Sequence, residues 1–242
     1  MLDRMFNYEN PVWQFMGRIA DIMILNAMAL IFSIPIITIG ASWTALYYCT
    51  VKIVRGEDTY VWKEFWVSFK SNFKQATIIW LILIPFLLIL SIDVLMWIND
   101  PTLLPKVLKI TTVIVICIVL AVTIYVFPIL SHFENTTRNT LKNAFLVAMI
   151  NIPYTIYFII ILLLPIVIVY IDLRFMMFDM LAGISAPALL ASFGWNKIFK
   201  KLEPKAEETQ EEADDSNEES IVKEAEREMM LTGAAQSEDT DN

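Results

Sequence analysis

Apolar residues in this chain gather into long blocks instead of alternating with polar ones. Blocks at Ile19–Pro35, Ala76–Ile98, Val107–Leu130, Ala144–Ile171 and Phe175–Trp195 approach or exceed the roughly 20 residues that carry a helix across a bilayer's hydrocarbon core. A soluble core needs no runs of that length. Irregular backbone is also costly in lipid, so the pattern predicts an all-α, polytopic transmembrane helix bundle. The stretch Ile36–Val54 is less apolar, and Pro35 and Gly40 are expected to break the chain between it and the first block. Leaving it out gives five spans and counting it gives six. Six are favoured, with both termini on the same side.

Between Glu57 and Gln75 the period changes. Trp62, Phe65, Trp66, Phe69 and Phe73 recur at helical spacing, while Lys63, Glu64, Lys70 and Lys74 take the other side. This predicts an aromatic amphipathic helix lying in the membrane interface. It anchors the span that follows or, on a sharper reading, offers a docking surface to a partner subunit.

Charge sets the orientation. Lys52, Arg55, Lys63, Lys70 and Lys74 precede the Ala76 block, Arg138 and Lys142 precede the Ala144 block, and Lys197, Lys200, Lys201 and Lys205 follow the last. Short basic loops face the cytoplasm, so these segments and the C-terminus are expected inside, with only Lys106, Lys109 and Arg174 opposite. The first 18 residues hold Asp3, Arg4, Glu9 and Arg18 and no continuous apolar core, so the first span is expected to be retained.

The net charge of −8 hides two regimes. From Glu203 to Asn242 there are 15 acidic and 3 basic residues, leaving 11 acidic and 15 basic in the rest. The expected division is a transmembrane domain, 1–202, and an acidic, disordered cytoplasmic tail, 203–242. Such a tail repels phosphates and argues against nucleic-acid binding.

Candidate chemistry is sparse. The single histidine, His132, and the two separated cysteines, Cys49 and Cys117, suit neither a nucleophilic triad nor a zinc site. No phosphate-binding glycine pattern occurs, so neither an enzyme nor a cofactor is expected. Asp21, Asp93 and Asp179 are the acids inside apolar blocks, each near a block end. Snorkelling or structural pairing accounts for them, with a proton or cation pathway through Asp93 and Asp179 as the alternative. Asn26 and Asn151 are the other intramembrane polar candidates, and an asparagine in lipid usually bonds a neighbouring helix. The last block is rich in small residues, among them Ala182, Gly183, Ala186, Ala188 and Ser192, which let helices approach closely. A faint echo links Lys74-Gln75-Ala76 with Pro85 to Lys142-Asn143-Ala144 with Pro153, the two prolines equally spaced from their alanines.

Four segments carry a family resemblance. FNYENPVWQFMGRIADIMILN (Phe6–Asn26), SIPIITIGASWTALYY (Ser33–Tyr48), FWVSFKSNFKQATIIW (Phe65–Trp80) and FENTTRNTLKNAFLVAMINIP (Phe133–Pro153) are similar to the YesL-like family of bacterial membrane proteins, a domain of unknown function. The resemblance spans roughly residues 1–200 and defines no catalytic residues. It implies a Gram-positive bacterium, a cell-membrane location and carbohydrate ABC transporter subunits as partners. Lys52–Gln75 and Ser131–Asn143 lack the E-A-A…G loop of an ATP-coupled permease. The expected role is therefore a non-enzymatic accessory or regulatory component, with a small secondary transporter as the alternative.

Overall fold

The structure, a computed structural model, describes residues 11–57, 60–100 and 105–203, with side chains from Met16 onward. Every regular element among the described residues is helical: α1 (Pro11–Ser33), a 3-10 turn (Ile36–Thr38), α2 (Ile39–Arg55), α3 (Val61–Asn99), α4 (Lys106–His132), α5 (Thr137–Ile150), α6 (Ile152–Ile171), a second 3-10 turn (Leu173–Phe175) and α7 (Met176–Ala182), then α8 (Ser185–Glu203). The chain divides into two compact units, Met1–Asn196 and Lys197–Asn242. Of the second, the end of α8 is described, with Ile198 and Phe199 buried. The expected acidic tail lies outside the described residues apart from Glu203.

By length and composition, α1, α3, α4 and α6 can each cross a bilayer, and a fifth span exists if the bent pair Leu173–Ala182 and Ser185–Glu203 counts as one. The sixth expected span forms a helix of 17 residues, α2, short of that test. Gly40 does not break the chain as expected: it is the second residue of α2. The break lies at Pro35 and the 3-10 turn. There Thr38 donates to Phe32 O at 2.6 Å, and Trp80 Nε1 of α3 donates to Ile36 O at 2.7 Å. Gly56 ends α2 at φ 76°, a left-handed conformation, and donates its N–H to Ile53 O.

Two more expectations are corrected. The Ala144–Ile171 block is not one helix; it breaks at Asn151, between α5 and α6. Pro153 has no N–H to donate, and its ring crowds the preceding turn. The amphipathic segment, expected as a separate helix in the interface plane, is the first part of α3. No proline or glycine separates Gln75 from Ala76, and Lys, Gln and Ala all favour helix. The 39 residues of α3 make a helix of about 58 Å at 1.5 Å per residue, nearly twice the ~30 Å hydrocarbon core.

Helix α2 is the packing centre, against α3, α4 and α1. Ten of its residues are buried, four of them with hydroxyl-bearing side chains: Ser42, Thr44, Tyr47 and Thr50. Ser42 donates to Ala29 O of α1 at 3.0 Å, while Thr44 and Thr50 bond back along α2 itself. Around it lie the first half of α3 and the last part of α4, where burial runs from Val61 to Leu83 and from Ala121 to Ser131. An aromatic cluster closes this half. Phe158 stacks on Trp195 at 4.4 Å between ring centroids, and Tyr125 meets Trp195 edge-on at 4.8 Å. Beyond it, α3 from Phe86, α4 up to Leu120, and most of α6 and α7 expose isoleucine, leucine, valine and methionine. Such surface suits hydrocarbon as solvent.

Candidate functional site

Built from single residues, the polar sites of this bundle fall into three groups: two helix breaks, a split aromatic stripe and a polar cleft.

At the first break, α7 ends at Ala182 and α8 begins at Ser185, bent by 59°. A helix end leaves backbone groups without partners, and lipid supplies none. Asn26, wholly buried on α1, supplies them. Its Nδ2 donates to Met180 O at 2.8 Å, and its Oδ1 accepts from the N–H of Ile184 at 3.0 Å and of Ser185 at 3.1 Å. One amide thus satisfies both sides of the break. Asp179 sits beside it, with its carboxylate folded over Gly183, on the rim of an apolar groove between α6 and α7 of about 420 Å³. The small face of α8 serves packing inside the bundle. Ser192 Oγ donates to Thr50 Oγ1 at 2.8 Å, and Ala188 and Ala191 are buried.

At the second break, Asn151 is part of the same kind of repair. Its carbonyl accepts from Tyr125 OH at 3.2 Å and from Thr155 Oγ1 at 3.3 Å, while its Nδ2 donates back to Val147 O at 2.9 Å. Thr155 also donates to Tyr125 OH at 3.0 Å. Tyr125→Phe should therefore lower stability by about 0.5–1.5 kcal/mol, the net worth of a typical hydrogen bond. A lowered thermal midpoint of the purified protein with unchanged insertion checks this. An unchanged midpoint would mean that the break holds without the phenol.

The remaining acids do not converge. Asp93 of α3 accepts a short hydrogen bond from Thr112 of α4, tying that hairpin near its far end. Asp179 is held against its own helix. Asp21 is half-buried on α1, one turn beyond Arg18. Among the described residues no cluster of His, Cys, Asp or Glu could hold a metal ion.

The aromatic stripe of α3 divides. Phe65 and Phe69 are buried against Phe32 of α1, with centroids at 5.7 and 4.9 Å. Trp62 remains 60% exposed, and Trp66 and Phe73 each 39%. Lys70 lies over the Trp66 ring at 4.6 Å. So half of the expected docking face is core, and the other half presents aromatic surface with lysines beside it.

The segments expected to be cytoplasmic meet at one end of the bundle. Arg55 donates to Asn196 Oδ1 at 3.2 Å and lies 3.3 Å from His132 Nε2. Lys52 pairs with Glu64 at 3.1 Å. At the same end Gln75 Nε2 reaches Asn135 O at 2.7 Å and Thr140 Oγ1 at 3.2 Å. Here a cleft of about 520 Å³ opens between α3 and the α4–α5 connection. On α3 its wall is the uncharged polar face Ser68, Ser71, Asn72 and Gln75. That face is masked in the sequence by the aromatics beside it, although its i, i+3, i+4, i+7 spacing is the signal that could have found it.

Comparison with curated proteins and with solved structures gives no match. A family model does match, and it covers residues 22–94, from α1 through most of α3. That span holds Asn26, the α1–α2 turn, the packing centre α2 and the aromatic stripe. Residues 22–94 match the model of the family described as "Protein of unknown function, DUF624", which is the YesL-like family that the sequence resembles.

Proposed function

We propose that this protein is a non-enzymatic accessory or regulatory component of a membrane transport assembly, carbohydrate ABC transport being the kind implied by the family resemblance. The observation that carries the reading is the exposed half of the α3 stripe. A helix of this length extends beyond a bilayer, and its extension keeps Trp62, Trp66 and Phe73 exposed, Trp66 even with the Phe32 ring 5.3 Å from its own. Exposed tryptophans on a rigid helix are the residues that most often dominate binding energy at interfaces. The basic segments gathered at this end favour a cytoplasmic placement for it and for the C-terminus, in the cell membrane of a Gram-positive bacterium.

Trp62→Ala with Trp66→Ala should abolish recovery of the partner, each tryptophan being worth about 2 kcal/mol, while membrane insertion and thermal midpoint stay near those of the parent. Photo-crosslinking from position 62 reads the contact directly. Crosslinks to lipid alone would make the stripe an anchor and defeat the proposal.

A second reading, a small secondary transporter, is favoured by one observation: broken helices build solute sites in transporter folds, and α7–α8 is such a pair. Against it, the helix ends at the break are already occupied by Asn26. Loss of a measured solute flux in Asp93→Asn or Asp179→Asn, with normal insertion, would revive it.

A further inference from the structure

The polar cleft at the α3–α4 end differs in chemistry from the apolar groove between α6 and α7. Its walls carry hydroxyls and neutral amides: Ser68, Ser71, Asn72 and Gln75 from α3, and Asn135 from the connection to α5. Phe133 and Leu130 add apolar patches, and Glu134 stands exposed at the rim. Its volume, about 520 Å³, falls in the range of small-molecule pockets, roughly 300–1,000 Å³.

One of its polar groups is only half used. Ser68, 3% exposed, accepts from Asn72 Nδ2 at 3.4 Å, and its own hydroxyl proton has no acceptor among the described residues. Gln75, which lines the cleft, spends its NH2 on Asn135 O and Thr140 Oγ1. Ser71 donates to Ser68 O at 3.1 Å and Asn72 Nδ2 to Ser68 O at 3.1 Å, so hydroxyls and amides are linked along one wall.

Charge narrows the class of ligand. No lysine or arginine lines the cleft; its ionisable lining groups are Tyr48, His132 and Glu134. Of the nearby cations, Lys52 pairs with Glu64, and Arg55 donates to Asn196 while lying 3.3 Å from His132 Nε2. An anion such as a phosphate would meet neutral dipoles, one imidazole at His132 and a rim carboxylate, with no lysine or arginine in the lining to give the charge-assisted bonds that anion sites use. A divalent cation would find one carboxylate at the mouth and no cluster to hold it. A neutral molecule with several hydroxyls, each able to donate and accept, matches a wall of amides and serines, and Phe133 offers an apolar face for its C–H surface.

We infer that this cleft binds a small, neutral polyhydroxylated molecule at the membrane-proximal, basic end of the bundle. The site would let the packed half of the protein report on a solute without transporting it. The inference stands apart from the partner reading: the cleft lies on the Ser68–Gln75 face of α3, and the partner contact on Trp62 and Trp66.

The test is equilibrium dialysis of the full-length protein in lipid nanodiscs against labelled myo-inositol, glucose and trehalose, with inorganic phosphate and spermidine as charged probes. Saturable binding of at least one polyol is expected. Ser71→Phe, which fills the cleft from an exposed position, and Asn72→Ala should each weaken it about tenfold, the effect of losing roughly 1.4 kcal/mol, with thermal midpoints near that of the parent. Should Ser71→Phe fail to fold, Asn72→Ala combined with Asn135→Ala carries the test. Binding of phosphate or spermidine but of no polyol overturns the inference. So does polyol binding that the folded variants leave unchanged, or no saturable binding at all.

Discussion

Replacing Asn26 with leucine is expected to destabilise the protein by about 2–4 kcal/mol, the largest single effect foreseen. Leucine keeps the branching at Cγ and is larger than asparagine, so no cavity opens, and any overpacking adds to the polar loss. Three backbone groups lose their partner at once: Met180 O and the N–H groups of Ile184 and Ser185. A buried group left unsatisfied costs about 1–3 kcal/mol. Interhelical hydrogen bonds in membrane proteins average only about 0.6 kcal/mol, because the reference state finds other partners. Three such losses at about 0.7–1.3 kcal/mol each, near the membrane average, give the quoted range. Asn26→Asp is the discriminating companion. It keeps the acceptor for both N–H groups and, when ionised, loses the donor to Met180, so its loss should be intermediate only if the site admits a charge or protonates the acid. The thermal midpoint of the purified proteins, read by fluorescence-detected chromatography, reports both. A midpoint unmoved by leucine would mean that the break between α7 and α8 is held by something other than this amide.

Substitution of Gly40 by alanine should also destabilise, by about 1–3 kcal/mol, the usual cost of overpacking. The sign is the informative part. Inside a helix, glycine to alanine normally gains about 1 kcal/mol. At Gly40 a Cβ would stand 2.7 Å from Ala76 O, 2.9 Å from Phe127 Cε1 and 2.9 Å from Trp80 Cβ. The first is backbone and the last is fixed to it, so neither can swing aside, and α2 would have to retreat from α3. Valine at this position should prevent folding to the same state. Gly17 provides the control. It lies in α1 with nothing within 4 Å of the place a methyl group would take, so Gly17→Ala should be neutral or slightly stabilising. Parallel midpoints for the two alanine variants check the pair. A stabilised Gly40→Ala would show that the α2–α3 approach is looser than these distances require.

How much of this could be read from the sequence follows from what hydropathy measures in lipid. The most apolar helices, α3, α4 and α6, are plain as blocks because much of their surface faces outward. The helix that centres the packing, α2, is the least distinct for the same reason. A helix surrounded by others in a membrane needs small and hydroxyl-bearing residues such as Gly40, Ser42 and Thr50, not leucines. Asn26 is visible as a polar residue in an apolar block, but its partners lie more than 150 residues away, so only the fold could show that it mends a break.

Prolines are legible as residues and not as outcomes. Pro85 and Pro153 stand at equal distances from Ala76 and Ala144, yet α3 continues through Pro85 whereas the chain breaks at Asn151. At the second site Tyr125 and Thr155 stand ready to bond the displaced carbonyl, and such help comes from a neighbouring helix that no local pattern reveals. The aromatic stripe shows a similar limit. Its spacing places these aromatics on one face, but not that Phe32 would pack on Phe65, Trp66 and Phe69, burying the two phenylalanines and leaving Trp62, Trp66 and Phe73 partly exposed.

The central proposal, that the protein works as an accessory subunit through α3, is tested most directly by gentle purification from native membranes followed by mass spectrometry, run side by side on the parent and on Trp62→Ala/Trp66→Ala. The expected result is near-stoichiometric recovery of sugar-transporter permease subunits with the parent and their loss with the variant, both proteins inserting equally. Recovery of the parent alone, or of the same subunits with both proteins, would contradict it.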